Sequence, residues 1–319
     1  MFVQILLLFL GLALVVFGAD WLVDGASSVA RRFGLSEFVI GLTIVGMGTS
    51  APEMVVSFIG AVQGNADISL GNVVGSNIFN TLLILGLTVL LLPMAVTPAN
   101  KRKDVPMNII ITVLLIGLGL EQTLFGFGTD GLSRWDGAIL PAVFILYMWQ
   151  SFRQGADAGS AADQDDKAIR PWLAVLLILG GIGALILGGN LFVDSAVYIA
   201  RAAGVSDKFI AITILAGGTS MPELATCVAA AVKKKGQLAL GNIIGSNIFN
   251  ILLILGGSAL IHPLSFSGIS YVDLGALLVS ALALYAACYA GKKDMLGRVE
   301  GVIFLLLFAG YMTYLFINL

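Results

Sequence analysis

Charge is what this chain has least of. Lys, Arg, Asp and Glu make up 11% of 319 residues, against roughly 25% in an ordinary soluble domain. So few charges cannot cover the surface of a soluble globule of this size. Two cysteines, Cys227 and Cys288, exclude a disulfide framework and a Cys-rich metal cluster. A single histidine, His262, beside Pro263 at a span end, reads as structural. The net charge of −2 offers no basic surface for nucleic acid. No H-E-x-x-H motif and no adjacent nucleophile and base occur, so an intramembrane enzyme is not expected. Disorder is excluded as well, because disordered chains are poor in apolar residues.

What remains is apolar. Hydrophobic residues form 58% of the chain, with 39 glycines, and the mean hydropathy is +0.99. The apolar runs are continuous rather than alternating, which predicts an all-α integral membrane protein and not a barrel. About 20 apolar residues cross the hydrocarbon core. That length yields ten predicted spans, near 2–23, 38–62, 68–92, 106–125, 135–152, 172–198, 208–232, 237–260, 270–290 and 298–318. The longest connection, 153–171, carries Asp157, Asp163, Asp165, Asp166 and Lys167 and reads as a solvated linker rather than a further soluble domain. The first span lacks the basic start of a signal peptide.

Basic residues orient the spans. The loops joining spans 1–2, 3–4, 5–6, 7–8 and 9–10 hold 14 of the 17 Lys and Arg; Arg134, Arg201 and Lys208 lie on the other side. The positive-inside rule places the richer side in the cytoplasm and both termini outside.

The chain repeats itself. Residues 39–57 (VIGLTIVGMGTSAPEMVVS) match 209–227 (FIAITILAGGTSMPELATC), and 69–87 (SLGNVVGSNIFNTLLILGL) match 239–257 (ALGNIIGSNIFNILLILGG) at 14 of 19 positions. Every match has the offset 170, which also aligns Asp24 with Asp194, Arg31 with Arg201 and Gly34 with Gly204. The reading is two five-span halves, 1–152 and 172–319, separated by the linker. Five is odd, so the second half enters the membrane from the opposite face, and the repeat is inverted. Inverted repeats with interrupted helices recur in secondary transporters.

The matched segments are polar. In Gly48-Thr49-Ser50-Ala51-Pro52-Glu53 the proline cannot continue a helix but suits the start of one. A helix broken near Thr49 and restarted at Pro52 leaves carbonyl oxygens free, tolerable only against protein or a wet cavity. Gly218, Thr219, Ser220, Pro222 and Glu223 repeat it. Glu53 and Glu223 are the only acids deep within the spans, where charge is most costly. Two carboxylates meeting near the midplane would repel unless a cation or protons lay between them. Ser76 and Asn80 share a helix face, repeated by Ser246 and Asn250. Asn72 and Asn242 are read as partners of the broken backbone; Asn77 and Asn247 fit either role. Any one of these Ser and Asn residues could instead bond neighbouring helices. As a set, hard oxygens without His or Cys select Ca2+ and Na+ over Zn2+ or Cu+. Cys227 follows Glu223 by one turn, where Ser57 is the counterpart, and reads as packing. Asp20, Asp24 and Asp194 sit near span ends, and the glycines of spans 1 and 6 suit close or sliding contact.

These motifs, G-T-S-A-P-E at 48–53, G-T-S-M-P-E at 218–223 and G-N-[VI]-[VI]-G-S-N-I-F-N at 71–80 and 241–250, resemble those of the sodium/calcium exchangers, in particular the compact prokaryotic members. The resemblance spans nearly the whole chain. It implies broken helices 2, 3, 7 and 8 at the core and four clustered cation sites among them. It implies that Glu53 and Glu223 bind Ca2+ with the carbonyls of Thr49 and Thr219. Sodium would use the same Glu residues, the hydroxyls of Ser50, Ser220, Ser76 and Ser246, and the carbonyls of Gly46 and Ala216. Asn80 and Asn250 would flank the centre. Some relatives carry Asp where Asn250 stands, which disfavours potassium dependence. Proton-coupled relatives tend to carry Glu where Gly75 and Gly245 stand.

The expected function is exchange of Na+ for Ca2+ across the cytoplasmic membrane by alternating access, extruding Ca2+, with spans 1 and 6 sliding across a fixed core. The transported ions, Na+ and Ca2+, and the lipid bilayer are the expected partners. Neither a cofactor nor an obligate protein partner is implied. A Ca2+/H+ exchanger is the alternative within transport, and a cation channel is the rival from another class.

Overall fold

A computed structural model describes residues 2–126, 128–158, 169–204, 216–290 and 294–318. The acidic stretch 159–168 of the linker, the start of the seventh span with Lys208, and Lys292 and Lys293 lie outside the described residues.

The described chain is helical: α1 (Phe2–Phe33), α2 (Glu37–Thr49), α3 (Ala51–Val62), α4 (Ala66–Leu91), α5 (Val105–Gly119), α6 (Glu121–Phe125), α7 (Arg134–Ala158), α8 (Pro171–Ala202), α9 (Met221–Val232), α10 (Gly236–Ile261), α11 (Tyr271–Ala290) and α12 (Arg298–Asn318). Six of these, α1, α4, α8, α10, α11 and α12, are long and apolar enough to cross a membrane. The bent pair α2–α3 makes a seventh. Helices occupy the described part of every predicted interval, but α5 and α9, with 15 and 12 residues, fall short of a full span. The outward faces are apolar: Phe2, Phe9, Phe17, Ile145, Leu179 and Ile317 are exposed, a surface that suits lipid and not water.

Residues 1–52 and 151–242 form one compact unit. Its centre is the pair α1–α8. A Cβ added at Gly11, Gly18 or Gly25 would lie 2.6–2.9 Å from backbone atoms of Phe192, of Gly181 and Leu185, and of Ala174. Rising numbers on one helix meet falling numbers on the other, so the two run antiparallel. They are each other's counterparts at the offset of 170. Three glycines seven residues apart bring the backbones together, as small residues do in membranes. A second close crossing joins α2 to α10, where a Cβ on Gly41 would sit 2.3 Å from Leu238 O and one on Gly241 2.2 Å from Phe38 O.

Residues 53–150 and 243–319 form the other unit. Here α4 packs on α12 through Gly86 and Gly301. Two short antiparallel strand pairs tie its loops, β1 (Met94–Ala95) with β4 (Met295–Leu296) and β2 (Gly131–Leu132) with β3 (Leu264–Ser265). Capping explains the helix starts. Ser133 and Asp136 bond each other's backbone N–H ahead of α7, as Ser270 and Asp273 do ahead of α11.

The repeat survives in the turns. Gly34 and Gly204 both take positive φ, 61° and 81°. So do Gly64 and Lys234, at 69° and 58°. After α3, the N–H of Asn65 reaches back to Gly60 O at 2.9 Å; after α9, that of Lys235 reaches Ala230 O at 2.8 Å. Both are left-handed helix caps.

Two expectations are corrected. The break in the second span falls at Ser50, beside Thr49 as expected, but the helix resumes at Ala51, one residue before Pro52, with a bend of 49°. Spans 3 and 8 are not broken. They continue through single π-helical turns, Phe79–Ile84 and Asn250–Leu255, where one extra residue widens the ladder without ending the helix.

Candidate functional site

Each compact unit holds one of the two buried glutamates. In the first unit, α2 ends at Thr49 and Ser50 leaves the helical region at φ −80°, ψ 9°. Ser220 repeats the departure at φ −87°, ψ 8°. Beyond it α9 starts with Pro222 near its N-terminus and Glu223 in its first turn. A carboxylate there is favoured by the unpaired N–H groups of the helix start. Glu223 is fully buried, and its Oε1 accepts a hydrogen bond of 2.8 Å from the Ser50 hydroxyl. Thr49 Oγ1 bonds Gly46 O at 3.3 Å and Asn242 Oδ1 at 3.2 Å. Gly46 O also accepts from the Ser50 N–H at 3.1 Å, so protein donors occupy this predicted sodium ligand. The Asn242 amide continues to Cys227 Sγ at 3.3 Å. Cys227 is buried and bonds Ala239 O, which agrees with a packing role.

In the second unit Glu53 lies in the first turn of α3, fully buried. Ser76 Oγ stands 3.5 Å from its Oε1. Asn72 donates to Glu53 O and to Ser57 Oγ, both at 3.0 Å, and so braces the restarted backbone as its position in the motif suggests. Asn80 and Asn250 sit at the two π-helical turns, both fully buried. The Asn80 amide donates to Asn247 Oδ1 at 3.3 Å, and the Asn250 amide to Asn77 Oδ1 at 2.9 Å.

The structure thus joins Ser50 to Glu223 and Ser76 to Glu53. Ser220 and Ser246 are fully buried, Thr219 is half-buried beside Ser220, and Ala216 opens the short turn before it. Two features were missed by sequence reasoning: the link from Thr49 to Asn242, and the bonding of Asn77 and Asn247. For the second, the N-x-x-N spacing of Asn77 with Asn80 and of Asn247 with Asn250 marked the residues but not which end of each amide is claimed. Asp20 and Asp24, near the end of the first predicted span, pair with Lys233 Nζ at 2.6 and 2.7 Å. Half-exposed pairs of this kind contribute little stability.

Chemically the set consists of carboxylate, hydroxyl, amide and carbonyl oxygens. No trio of His, Cys, Asp or Glu suited to a metal occurs among the described residues. Such oxygens suit hard cations.

The chain matches the family described as "Sodium/calcium exchanger protein" over residues 3–153 and 173–317. It belongs to the sodium/calcium exchanger family. Among related proteins, the inner membrane protein YrbG of Escherichia coli is 35% identical over 97% of this chain and 94% of its own. The sodium/calcium exchanger MaX1 of Methanosarcina acetivorans is 32% identical, covering 98% and 99%. The solved structure of the sodium-calcium exchanger NCX_Mj soaked with zero Na+ and Ca2+ superposes with a TM-score of 0.83, at 33% identity and 98% coverage of both chains. Coverage this complete makes the chain a compact, multi-pass member of the sodium/calcium exchangers.

Proposed function

We propose that this chain exchanges Na+ for Ca2+ across the cytoplasmic membrane by alternating access, in the direction of Ca2+ efflux. One observation carries the reading: two glutamates at equivalent repeat positions are fully buried, with neutral serine hydroxyls on Oε1 of each. A buried carboxylate is stable only when its charge is balanced. One Ca2+ balances two carboxylates, and Na+ ions can do the same. Occupancy by one ion excludes the other, and only the neutralised site can cross the apolar barrier.

Glu53 and Glu223 are the proposed Ca2+ ligands, with the carbonyls of Thr49 and Thr219. Ser50, Ser220, Ser76 and Ser246, and the carbonyls of Gly46 and Ala216, would serve Na+; Asn80 and Asn250 would flank both. Gly46 O serves only after Thr49 Oγ1 turns away from it. The reading includes ten spans in two inverted halves, 1–152 and 172–319, with both termini outside. The antiparallel pairing of α1 with its counterpart α8 supports that inversion, and the matching turn caps support the repeat. Na+ and Ca2+ are substrates, and the reading needs no cofactor, covalent step or protein partner.

The test is 45Ca2+ flux in proteoliposomes. An imposed Na+ gradient should drive uptake, and replacing Na+ by choline at fixed pH should abolish it. Glu53→Gln and Glu223→Gln should each lower flux about 100-fold or more. Uptake indifferent to Na+, uptake that follows a pH gradient instead, or full activity in either variant would overturn the proposal.

A further inference from the structure

We infer that Asn77 and Asn247 are positioning residues that determine which end of the Asn80 and Asn250 amides faces the transported cation. The inference rests on the reading that Asn80 and Asn250 flank the ions.

A carboxamide has two unlike ends. Its oxygen attracts a cation and its NH2 group repels one. Rotation of the terminal torsion exchanges them, so the neighbour that claims the NH2 group decides which end remains. Here the claims are crossed. Asn80 Nδ2 donates to Asn247 Oδ1, and Asn250 Nδ2 donates to Asn77 Oδ1. Shifting either bond by 170 residues gives the other, so the two repeats orient each other. The released oxygens, Asn80 Oδ1 and Asn250 Oδ1, are buried and accept no hydrogen bond among the described residues. A buried amide oxygen in that condition lacks compensation for its lost hydration, and a hard cation supplies it.

Asn77 and Asn247 are themselves fixed at their other ends. Asn77 Nδ2 donates to Asn247 O at 3.1 Å, and Asn247 Nδ2 donates to Thr81 Oγ1 at 2.8 Å. Their own side-chain oxygens are occupied by the partner amides. They therefore act through Asn80 and Asn250 and not as ligands. The two anchors differ. Thr81 has no counterpart hydroxyl, because Ile251 stands at the matching position, and there a backbone carbonyl takes its place.

The experiment measures KM and maximal rate for Ca2+ flux in proteoliposomes, with monodispersity and melting temperature as folding controls. Asn77→Leu and Asn247→Leu should raise KM about 3- to 10-fold, the effect of one lost hydrogen bond. A carboxylate presents oxygen at both ends and needs no orienting. Hence Asn250→Asp should suppress the effect of Asn77→Leu, and Asn80→Asp that of Asn247→Leu, to less than about 2-fold. The pairing should be crossed: Asn80→Asp should not rescue Asn77→Leu. Thr81→Val is the milder variant, raising KM with Asn80 intact and not with Asn80→Asp. Suppression within a motif instead of across, or equal KM effects in both backgrounds, overturns the inference. Unchanged KM in Asn80→Leu and Asn250→Leu overturns the ligand reading and the inference together. Changed KM there with unchanged KM in Asn77→Leu and Asn247→Leu overturns the inference alone.

Discussion

Ser50 and Glu223 are both fully buried, 2.8 Å apart, and belong to different repeats. Ser50 is also the residue at which the helix breaks, so its backbone geometry directs its hydroxyl. A hydrogen bond to a charged group contributes about 1.5–3 kcal/mol. Ser50→Ala should therefore weaken apparent Na+ affinity about 10-fold or more, read as the Na+ concentration giving half-maximal Ca2+ release. Ser50→Thr keeps the hydroxyl and should retain most of that affinity. Equal losses in both variants would mean that volume matters there and not the hydroxyl. The two glutamates were legible in the sequence because charge within an apolar span has few tolerable explanations. Asn77 and Asn247 were not. The role of an amide depends on which end its partner claims, and the partner of Asn250 stands 173 residues away. Nothing local in the sequence marks that choice.

Among the helices, the α1–α8 pair makes a sharper claim than its glycine content. Gly181 faces Gly18 O, which a Cβ would approach to 2.7 Å, whereas Gly180 and Gly183 have nothing within 4 Å. Three glycines within four residues therefore have unequal roles. Gly181→Ala should force the helices apart and destabilise the protein by about 1–3 kcal/mol, lowering the melting temperature in detergent. Gly180→Ala and Gly183→Ala should be neutral or slightly stabilising, because alanine favours helix. A uniform response across the three would refute the close approach. Several helices followed the apolar runs to within a few residues, since burial in lipid demands unbroken length, but α1 continues past the predicted end at 23 to Phe33, and α5 and α9 stop short. The break at Ser50 was readable from glycine followed by proline. The π-helical turns at Phe79–Ile84 and Asn250–Leu255 were not. They add one residue to a ladder of ordinary helix formers, and no composition announces them.

Across the whole molecule, the compact units cut across the sequence halves. The chain passes from one unit to the other at Pro52 to Glu53, Gln150 to Ser151, and Asn242 to Ile243. Two of these three passages fall inside the repeated polar motifs, so each unit takes residues from both halves and one of the two buried glutamates. The duplication was plain in the sequence because its offset never varies, but contiguity along the chain does not reveal how the halves divide between units. What the offset does predict is sidedness. The turns after α3 and α9 are equivalent, with matching caps at Gly64 and Lys234. If each repeat has five spans, these two turns lie on opposite faces of the membrane, and the bias of basic residues puts the Lys234 turn in the cytoplasm. Gln63 and Lys234 are both exposed, while the native Cys227 and Cys288 are buried. Native thiols should therefore give little background. In intact cells an impermeant maleimide should label Gln63→Cys and spare Lys234→Cys until the membrane is permeabilised. The reverse pattern would invert the proposed orientation and place both termini inside. Labelling of both from outside would exclude an odd number of spans per repeat, and with it the inverted topology on which alternating access in this chain is argued.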